Sequence, residues 1–146
     1  MKLYFDTCCY NRPYDDQAQK KIRDESLAIS RIIKTRHIYG HIVYSSLALD
    51  EEIDMITNAD KKRNVLRLYT QTATMRADYV ENVFNYVVPL AKQVGIKGYD
   101  VFHLCYSVVV AADYLLTVDG PFLKAASGLS LPVKVINPLQ FLGGVI

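Results

Sequence analysis

Four acidic residues stand at comparable places along this 146-residue sequence. Asp6 ends a short apolar segment, Glu51 lies in a predicted helix, Asp100 opens an apolar helix, and Asp119 follows a buried strand. Carboxylates that gather in one place repel each other unless a cation neutralises them. Oxygen ligands without a set of histidines or cysteines favour Mg²⁺ or Mn²⁺, which can activate water and offset charge on a phosphoryl oxygen. These four residues are therefore a candidate metal and catalytic site.

Two of the acids belong to one segment, GYDVFHLCYSVVVAADYLLTVDGPF. Its continuous apolar run predicts a buried helix over 101–112, followed by a buried strand over 115–118. Asp100 opens the helix. His103 stands three positions further along the chain, and this spacing puts both side chains on one face of a helix. Asp119 follows the strand and precedes Gly-Pro, a sequence typical of a turn into a helix.

The rest of the chain alternates in the same way between apolar strands and amphipathic helices. Further strands are predicted over 1–7, 41–45, 76–80 and 132–136, and further helices over 17–36, 47–56, 61–73, 83–94 and 139–142. The segment CCYNRPYDDQ is rich in turn formers and is predicted to be a loop. This alternation predicts an α/β fold with a parallel sheet covered by helices on both faces. The strands' C-terminal ends would share one edge, where acids distant in sequence can meet.

Composition predicts one globular domain over residues 1–146, with 51% hydrophobic residues. The formal net charge of +2 does not by itself indicate a nucleic-acid partner. Basic clusters such as Lys20-Lys21 and Lys61-Lys62-Arg63 are either solvated helix faces or a phosphate-binding rim. The three cysteines, without a signal peptide or a membrane-spanning run, predict a reduced, cytoplasmic protein with no membrane association.

Five short motifs, taken in order, resemble the PIN-domain family of VapC-like metal-dependent ribonucleases. They cover essentially the whole chain and are Asp6-Thr7, Ser45-x-Leu-x-Leu-x-Glu51, Asp100-x-x-His103, Thr117-x-Asp119-x-x-Phe122 and Val135-Ile-Asn-Pro138-x-x-Phe141. The resemblance implies a single-domain three-layer sandwich around a five-stranded parallel sheet. It also implies a Mg²⁺- or Mn²⁺-dependent nuclease that acts on RNA.

The resemblance also assigns roles to individual residues. Asp6, Glu51, Asp100 and Asp119 match the family's acidic metal site. Four neighbours are expected to orient these acids, namely Thr7, Ser45, His103 and Thr117. The resemblance assigns no role in the loop after the first strand. Three residues there are candidate substrate contacts for other reasons: Arg12 is placed to face the site, and Tyr10 and Tyr14, beside Asp6, could stack on bases.

Several residues carry a second interpretation. Glu52 competes with Glu51 for the site; Glu51 is preferred because Leu47 and Leu49 then occupy the apolar positions of the motif. His103 either contacts substrate or hydrogen-bonds a neighbour in the core. The tyrosines either stack on bases or pack in the core with a satisfied hydroxyl. Asp6, Asp100 and Asp119, each taken alone, are equally consistent with helix and turn caps.

The preferred function is therefore a divalent-metal-dependent endoribonuclease. Many compact bacterial members of the family are toxins of toxin–antitoxin pairs, so RNA and an antitoxin protein are the expected partners, together with a homodimer. The alternative is a non-catalytic RNA-binding or scaffold module with the same fold. A weaker alternative is a phosphatase-like hydrolase with Asp6 as nucleophile, although Cys8 stands where that motif needs a second aspartate.

Overall fold

The computed structural model describes residues 1–144, in which five parallel strands form one sheet. The strands are β1 (Lys2–Phe5), β2 (Ile42–Ser45), β3 (Met75–Arg76), β4 (Tyr114–Leu116) and β5 (Lys134–Ile136). Their order across the sheet is β3-β2-β1-β4-β5, which makes β1 the central strand. The predicted α/β class and parallel five-stranded sheet are confirmed. The predicted domain, 1–146, extends two residues beyond the described part of the chain.

β1 is central because its side chains suit a strand that is covered on both faces. Leu3, Tyr4 and Phe5 are all buried, and the strand pairs with β2 through Leu3 and with β4 through Phe5. A run of large apolar side chains without polar alternation is typical of such a strand. The chain leaves β1 at Asp6, so the central strand delivers the first candidate acid to the C-terminal edge of the sheet.

Within residues 1–144, eight α-helices surround the sheet. They are α1 (Thr7–Asn11), α2 (Lys20–Tyr39), α3 (Leu47–Asp54), α4 (Ala59–Thr72), α5 (Glu81–Gln93), α6 (Tyr99–Val109), α7 (Gly120–Ala126) and α8 (Pro138–Gly144). The long helix α2 buries an apolar stripe that includes Ile29, Ile32 and Ile33 and packs against α8. On the other side of the core, α6 packs against α5 and α3. α3 and α6 therefore supply the side chains that surround the end of β1.

The structure corrects the prediction for CCYNRPYDDQ. Most of this segment is not a loop, since α1 begins directly after Asp6 and is followed by a 3-10 turn, Arg12–Tyr14. Cys9 and Tyr10 are fully buried in α1. Burial of an apolar face therefore overrides the local preference of the turn formers in this segment.

The other boundaries move by a few residues. α2 begins three residues after its predicted start and ends three residues after its predicted end. β3 contains only two residues, Met75–Arg76, at the edge of the sheet. β4 ends at Leu116, so Asp119 lies in the connection to α7 rather than at the last residue of the strand. Among residues 1–144, no helix combines the length and apolar character that crossing a bilayer requires.

Candidate metal centre

Asp6 lies at the C-terminal end of the central strand with its side chain almost completely buried. Its backbone N–H donates to the carbonyl of Leu116 at 2.9 Å, which fixes the residue to β4. Carboxylate Oδ2 accepts hydrogen bonds from the Thr117 hydroxyl at 2.8 Å and from the Cys8 thiol at 3.2 Å. Burial raises the pKa of the Cys8 thiol well above its usual value, so this group keeps the proton that it donates. One carboxylate oxygen is thus anchored, and Oδ1 faces α6.

Glu52 and His103 complete a cluster with Asp6. One donor atom from each of the three residues lies within 4.8 Å of those of the others. Nε2 of His103 is 2.5 Å from Oε1 of Glu52 and 3.5 Å from Oδ1 of Asp6. Thr7 donates its hydroxyl hydrogen to the same Glu52 oxygen at 2.5 Å. Asp6, which directly follows β1, thus meets residues from α1, α3 and α6 at one point on the edge of the sheet.

The structure places Glu52, not Glu51, in this cluster. The Glu51 side chain turns away and accepts a hydrogen bond from the Tyr99 hydroxyl at 3.0 Å. The preferred assignment of Glu51 to a position beside Asp6 is therefore wrong. Ser45 shows the same one-residue offset, because its hydroxyl donates to the carbonyl of Met75 while Ser46 lies at the buried side of α3.

The offset follows from the true apolar face of α3. Leu47, assumed to be inward, has half of its side chain exposed, while Ala48, Leu49 and Ile53 are buried. Glu52 lies four residues after Ala48 and three after Leu49, so it shares their face of the helix. The Ser46 N-cap, which accepts from the backbone N–H of Leu49 at 3.2 Å, fixes where the helix begins. The stripe Ala48-Leu49-Glu52-Ile53 was the sequence signal for this register.

Asp100 and Asp119 lie beside the cluster and line one cavity of about 160 Å³. Gly98 adopts φ +65° immediately before α6, a conformation that favours glycine, and this turn places Asp100 in the first turn of the helix. Burial and the charge of Asp6, with smaller contributions from Asp119 and Glu52, outweigh the opposing effect of His103 and raise the pKa of Asp100 from 3.8 to about 7. Asp100 is therefore electrostatically coupled to the three other carboxylates.

The capping interpretation of these acids is not supported by their contacts. Asp6 and Asp119 occupy the N-cap positions of α1 and α7, yet neither side chain accepts a backbone hydrogen bond from its helix. The cap of α6 is Gly98 rather than Asp100. The Thr117 hydroxyl bonds to Asp6 and accepts the backbone N–H of Asp119 at 3.1 Å. Thr117 thus ties the two acid-bearing turns together and leaves the Asp119 carboxylate without a capping role.

The raised pKa of Asp100 predicts a pH-dependent loss of stability in the metal-free protein. Because the folded state holds the Asp100 proton more tightly than the unfolded state, this group's contribution to the unfolding free energy falls as pH rises from about 4 to about 7. Asp100→Asn removes that loss. In chelator at pH 8 we expect the variant to be more stable than wild type by roughly 1–2 kcal/mol, a figure reduced for partial exposure of the group.

Urea unfolding in EDTA at pH 5 and pH 8 measures this effect. Glu81→Gln is the matched control, because Glu81 is an exposed acid in the first turn of α5, as Asp100 is in α6. An Asp100→Asn protein that is less stable than wild type at pH 8 would show that the carboxylates do not repel one another.

His103 is held from its other side as well. Its Nδ1 lies 2.7 Å from the hydroxyl of Tyr4, which lies 2.6 Å from the hydroxyl of Ser46. Burial lowers the pKa of His103, but the hydrogen bond to Glu52 and the charges of Asp6, Glu52 and Asp100 together raise it above its usual value. Although burial alone would raise the pKa of Glu52, its hydrogen bonds and charge interaction with His103 and its bond from Thr7 lower it. Glu52 is therefore ionised at neutral pH.

The three predicted substrate contacts are not members of the cluster of Asp6, Glu52 and His103. Tyr10 is fully buried and packs edge-on against Phe5 and Tyr69, so the expectation that it contacts substrate is wrong. Arg12 pairs with Asp15 at 3.3 Å and with the buried Glu25 at 3.4 Å, which gives it a structural partner on α2. Tyr14 is 40% exposed and stays a candidate contact.

The donor set fits a divalent cation. Two buried or half-buried carboxylates converge with an imidazole, and two further carboxylates line the adjoining cavity. The sequence predicted an all-oxygen set, whereas the structure brings a histidine nitrogen into the cluster. That nitrogen, Nε2 of His103, is hydrogen-bonded to Oε1 of Glu52, so the carboxylate oxygens are the groups left to face a cation, and such oxygens suit Mg²⁺ and Mn²⁺ alike.

Comparison with known proteins identifies the fold. The crystal structure of FitAcB from Neisseria gonorrhoeae aligns with 94% of this chain and 99% of that chain, with a TM-score of 0.58 and 20% sequence identity. At this identity the likeness shows the fold alone, a PIN-like α/β sandwich. No protein-family model matches the chain, and no curated protein matches it.

Proposed function

We propose that this chain is a divalent-metal-dependent endoribonuclease that hydrolyses phosphodiester bonds in RNA. The observation that carries the proposal is the convergence of Asp6, Glu52 and His103 at the C-terminal edge of the sheet. The cavity that Asp100 and Asp119 line beside them supports it further. A PIN-like fold that carries acidic side chains at the C-terminal edge of its sheet is consistent with the nuclease function that the sequence motifs imply.

In this proposal the carboxylates bind the cation and the surrounding groups keep them in place. Mg²⁺ or Mn²⁺ bound here would supply an activated water and offset charge on the phosphoryl oxygen. Asp6 and Glu52 bind it, while Thr117, Cys8, Thr7 and His103 fix their orientation. Asp100 lines the adjoining cavity, where its carboxylate can accept a hydrogen bond from the attacking water and so orient it. Lys97 lines the same cavity and offers a positive charge to the RNA backbone.

The basic clusters give less support to an extended RNA-binding rim. Lys20 pairs with Asp24, Lys61 with Asp15, Lys62 with Asp54, and Arg63 with Asp60. These ion pairs favour the interpretation of the clusters as solvated helix faces. Substrate contact is therefore proposed to concentrate at the cavity and not along these helices.

Cleavage of single-stranded RNA in the presence and absence of metal tests the proposal. We expect hydrolysis with Mn²⁺ or Mg²⁺, complete loss in excess EDTA, and recovery when metal is added back, because the carboxylates alone do not activate water. Cleavage that persists in EDTA would overturn the mechanism. RNA binding without cleavage in either metal would instead favour the non-catalytic module.

The proposed partner protein is an antitoxin. An apolar groove of about 530 Å³ between α3, α5 and α6 supports it, with Leu47, Phe84 and Phe102 among the lining side chains. A small antitoxin-like protein encoded beside this chain, which inhibits cleavage when the two are mixed, would support this part of the proposal. A chain with no such neighbour would count against it. A homodimer is the other proposed assembly, and the mass in solution tests it.

A further inference from the structure

We propose that Tyr4 is a positioning residue for the metal centre, acting through His103 on Glu52. This inference requires the metal binding of the proposed function but not the cleavage of RNA. The geometry that carries it is a buried chain of hydrogen-bonding groups, Ser46 to Tyr4 to His103 to Glu52. The links are 2.6 Å, 2.7 Å and 2.5 Å long.

The chain starts from a rigid anchor. Tyr4 is the middle of the central strand, is fully buried, and its ring lies 5.5 Å from that of His103. Ser46 is also fully buried and is fixed as the N-cap of α3 by the N–H of Leu49. Burial raises the pKa of the Tyr4 phenol well above its usual value, so the hydroxyl keeps its hydrogen. Two backbone elements, β1 and α3, therefore hold the Tyr4 hydroxyl in one place.

A count of hydrogens shows why a hydroxyl is needed at this point. When the imidazole is neutral, Ser46 donates to Tyr4, Tyr4 donates to Nδ1, and Nε2–H donates to Glu52. When the imidazole is charged, Nδ1–H donates to the Tyr4 oxygen and Tyr4 donates to Ser46. Because the ionised Glu52 can only accept, Nε2 carries a hydrogen in both forms, and because a hydroxyl can donate or accept, the Tyr4 hydroxyl stays bonded to Nδ1 in both forms. A phenylalanine at position 4 would leave Nδ1 without this partner, so the imidazole would no longer be held from that side.

Glu52 needs such support more than the other acids do. Its side chain is about a quarter exposed, and it enters the site from a helix at the surface. Its Oε1 has two donors, Thr7 and His103, and the imidazole is held in turn by the buried hydroxyl of Tyr4. Groups that orient a metal ligand typically change metal affinity 10- to 100-fold when they are removed. The Tyr4 hydroxyl is therefore expected to matter to metal binding although it lies away from the cation.

Tyr4→Phe tests this, with Tyr10→Phe as the matched control. Both tyrosines are fully buried, but the Tyr10 hydroxyl has no hydrogen-bond partner in the described chain, so its removal should change nothing. We expect Tyr4→Phe to weaken Mn²⁺ binding about 10-fold in calorimetry, and Tyr10→Phe to match wild type. In a His103→Leu background, Tyr4→Phe should have no further effect, since its influence passes through the imidazole. Equal affinities in Tyr4→Phe and wild type would overturn the inference.

A second measurement keeps the test valid if His103→Leu does not fold. Imidazole ¹⁵N NMR of the metal-free protein reports which ring nitrogens carry hydrogen. We expect Nε2 to carry hydrogen in wild type, and we expect the Nδ1 resonance to move in Tyr4→Phe but not in Tyr10→Phe, because Nδ1 loses its hydrogen bond with the Tyr4 hydroxyl. An Nδ1 resonance that is the same in Tyr4→Phe as in wild type would overturn the inference. An Nε2 atom that carries no hydrogen in wild type would overturn the inference. If wild type binds no Mn²⁺, the proposed function fails, whereas the NMR result still decides the role of Tyr4.

Discussion

Glu52→Gln is expected to lower the rate of RNA cleavage by at least ~100-fold, whereas Glu51→Gln should leave it within about twofold of wild type. Glu52 is the glutamate of α3 that meets His103 and lies in the cluster with Asp6. Replacement by glutamine removes the negative charge that a cation needs while keeping nearly the same shape. Glu51 is directed to Tyr99, so its charge is not expected to act on the bound metal. Initial rates of cleavage in saturating Mn²⁺ measure both effects.

The two substitutions control for each other. They remove one charge each from adjacent positions of the same helix, so their effects on helix propensity and net charge are the same. A severe loss in Glu51→Gln with a mild one in Glu52→Gln would show that the register of α3 differs from the one described.

Asp6→Asn should abolish cleavage, with a loss of roughly 1,000-fold or more, because its carboxylate is the buried centre of the cluster. The asparagine keeps an oxygen that can accept from Thr117, and the fold should therefore survive. Circular dichroism and the melting temperature check this point. Asp54→Asn is the control, since Asp54 ends α3 and its side chain is 81% exposed. Measurable cleavage by a folded Asp6→Asn protein would remove Asp6 from the mechanism.

Much of the fold could be predicted because its strands are short, apolar and separated by amphipathic helices. Leu3, Tyr4 and Phe5 of β1 and Leu115 and Leu116 of β4 are buried apolar runs, which is typical of strands near the centre of a parallel sheet. The segment after Asp6 could not be predicted, because Cys9 and Tyr10 gain more from burial in α1 than its turn formers gain from a loop. The edge strand β3 is two residues long and carries little pattern of its own.

The candidate site was predictable at the level of strands but not of side chains. Asp6, Asp100 and Asp119 follow from the topology, because the ends of parallel strands share one edge. Successive residues of α3 are rotated by about 100° around the helix axis, so an error of one residue changes which glutamate faces Asp6. Leu47 is apolar but exposed, and treating it as an inward residue favoured Glu51 over Glu52. Nothing in the sequence marks Tyr4 or Cys8 as part of the site, except that each places a polar atom within an apolar segment. Their roles depend on contacts across the sheet, with His103 and with Thr117.

The central claim is that Asp6 and Glu52 together hold a divalent cation, and a Mn²⁺ titration followed by thermal melting tests it most directly. A cation that binds only the folded chain adds about 2.7 kcal/mol at a hundredfold excess over Kd, which for a domain of this size raises the melting temperature by roughly 5–10 °C. We expect this rise in wild type and in Glu51→Gln, and its loss in Asp6→Asn and Glu52→Gln. A wild-type protein that melts at the same temperature with and without millimolar Mn²⁺ would contradict the claim.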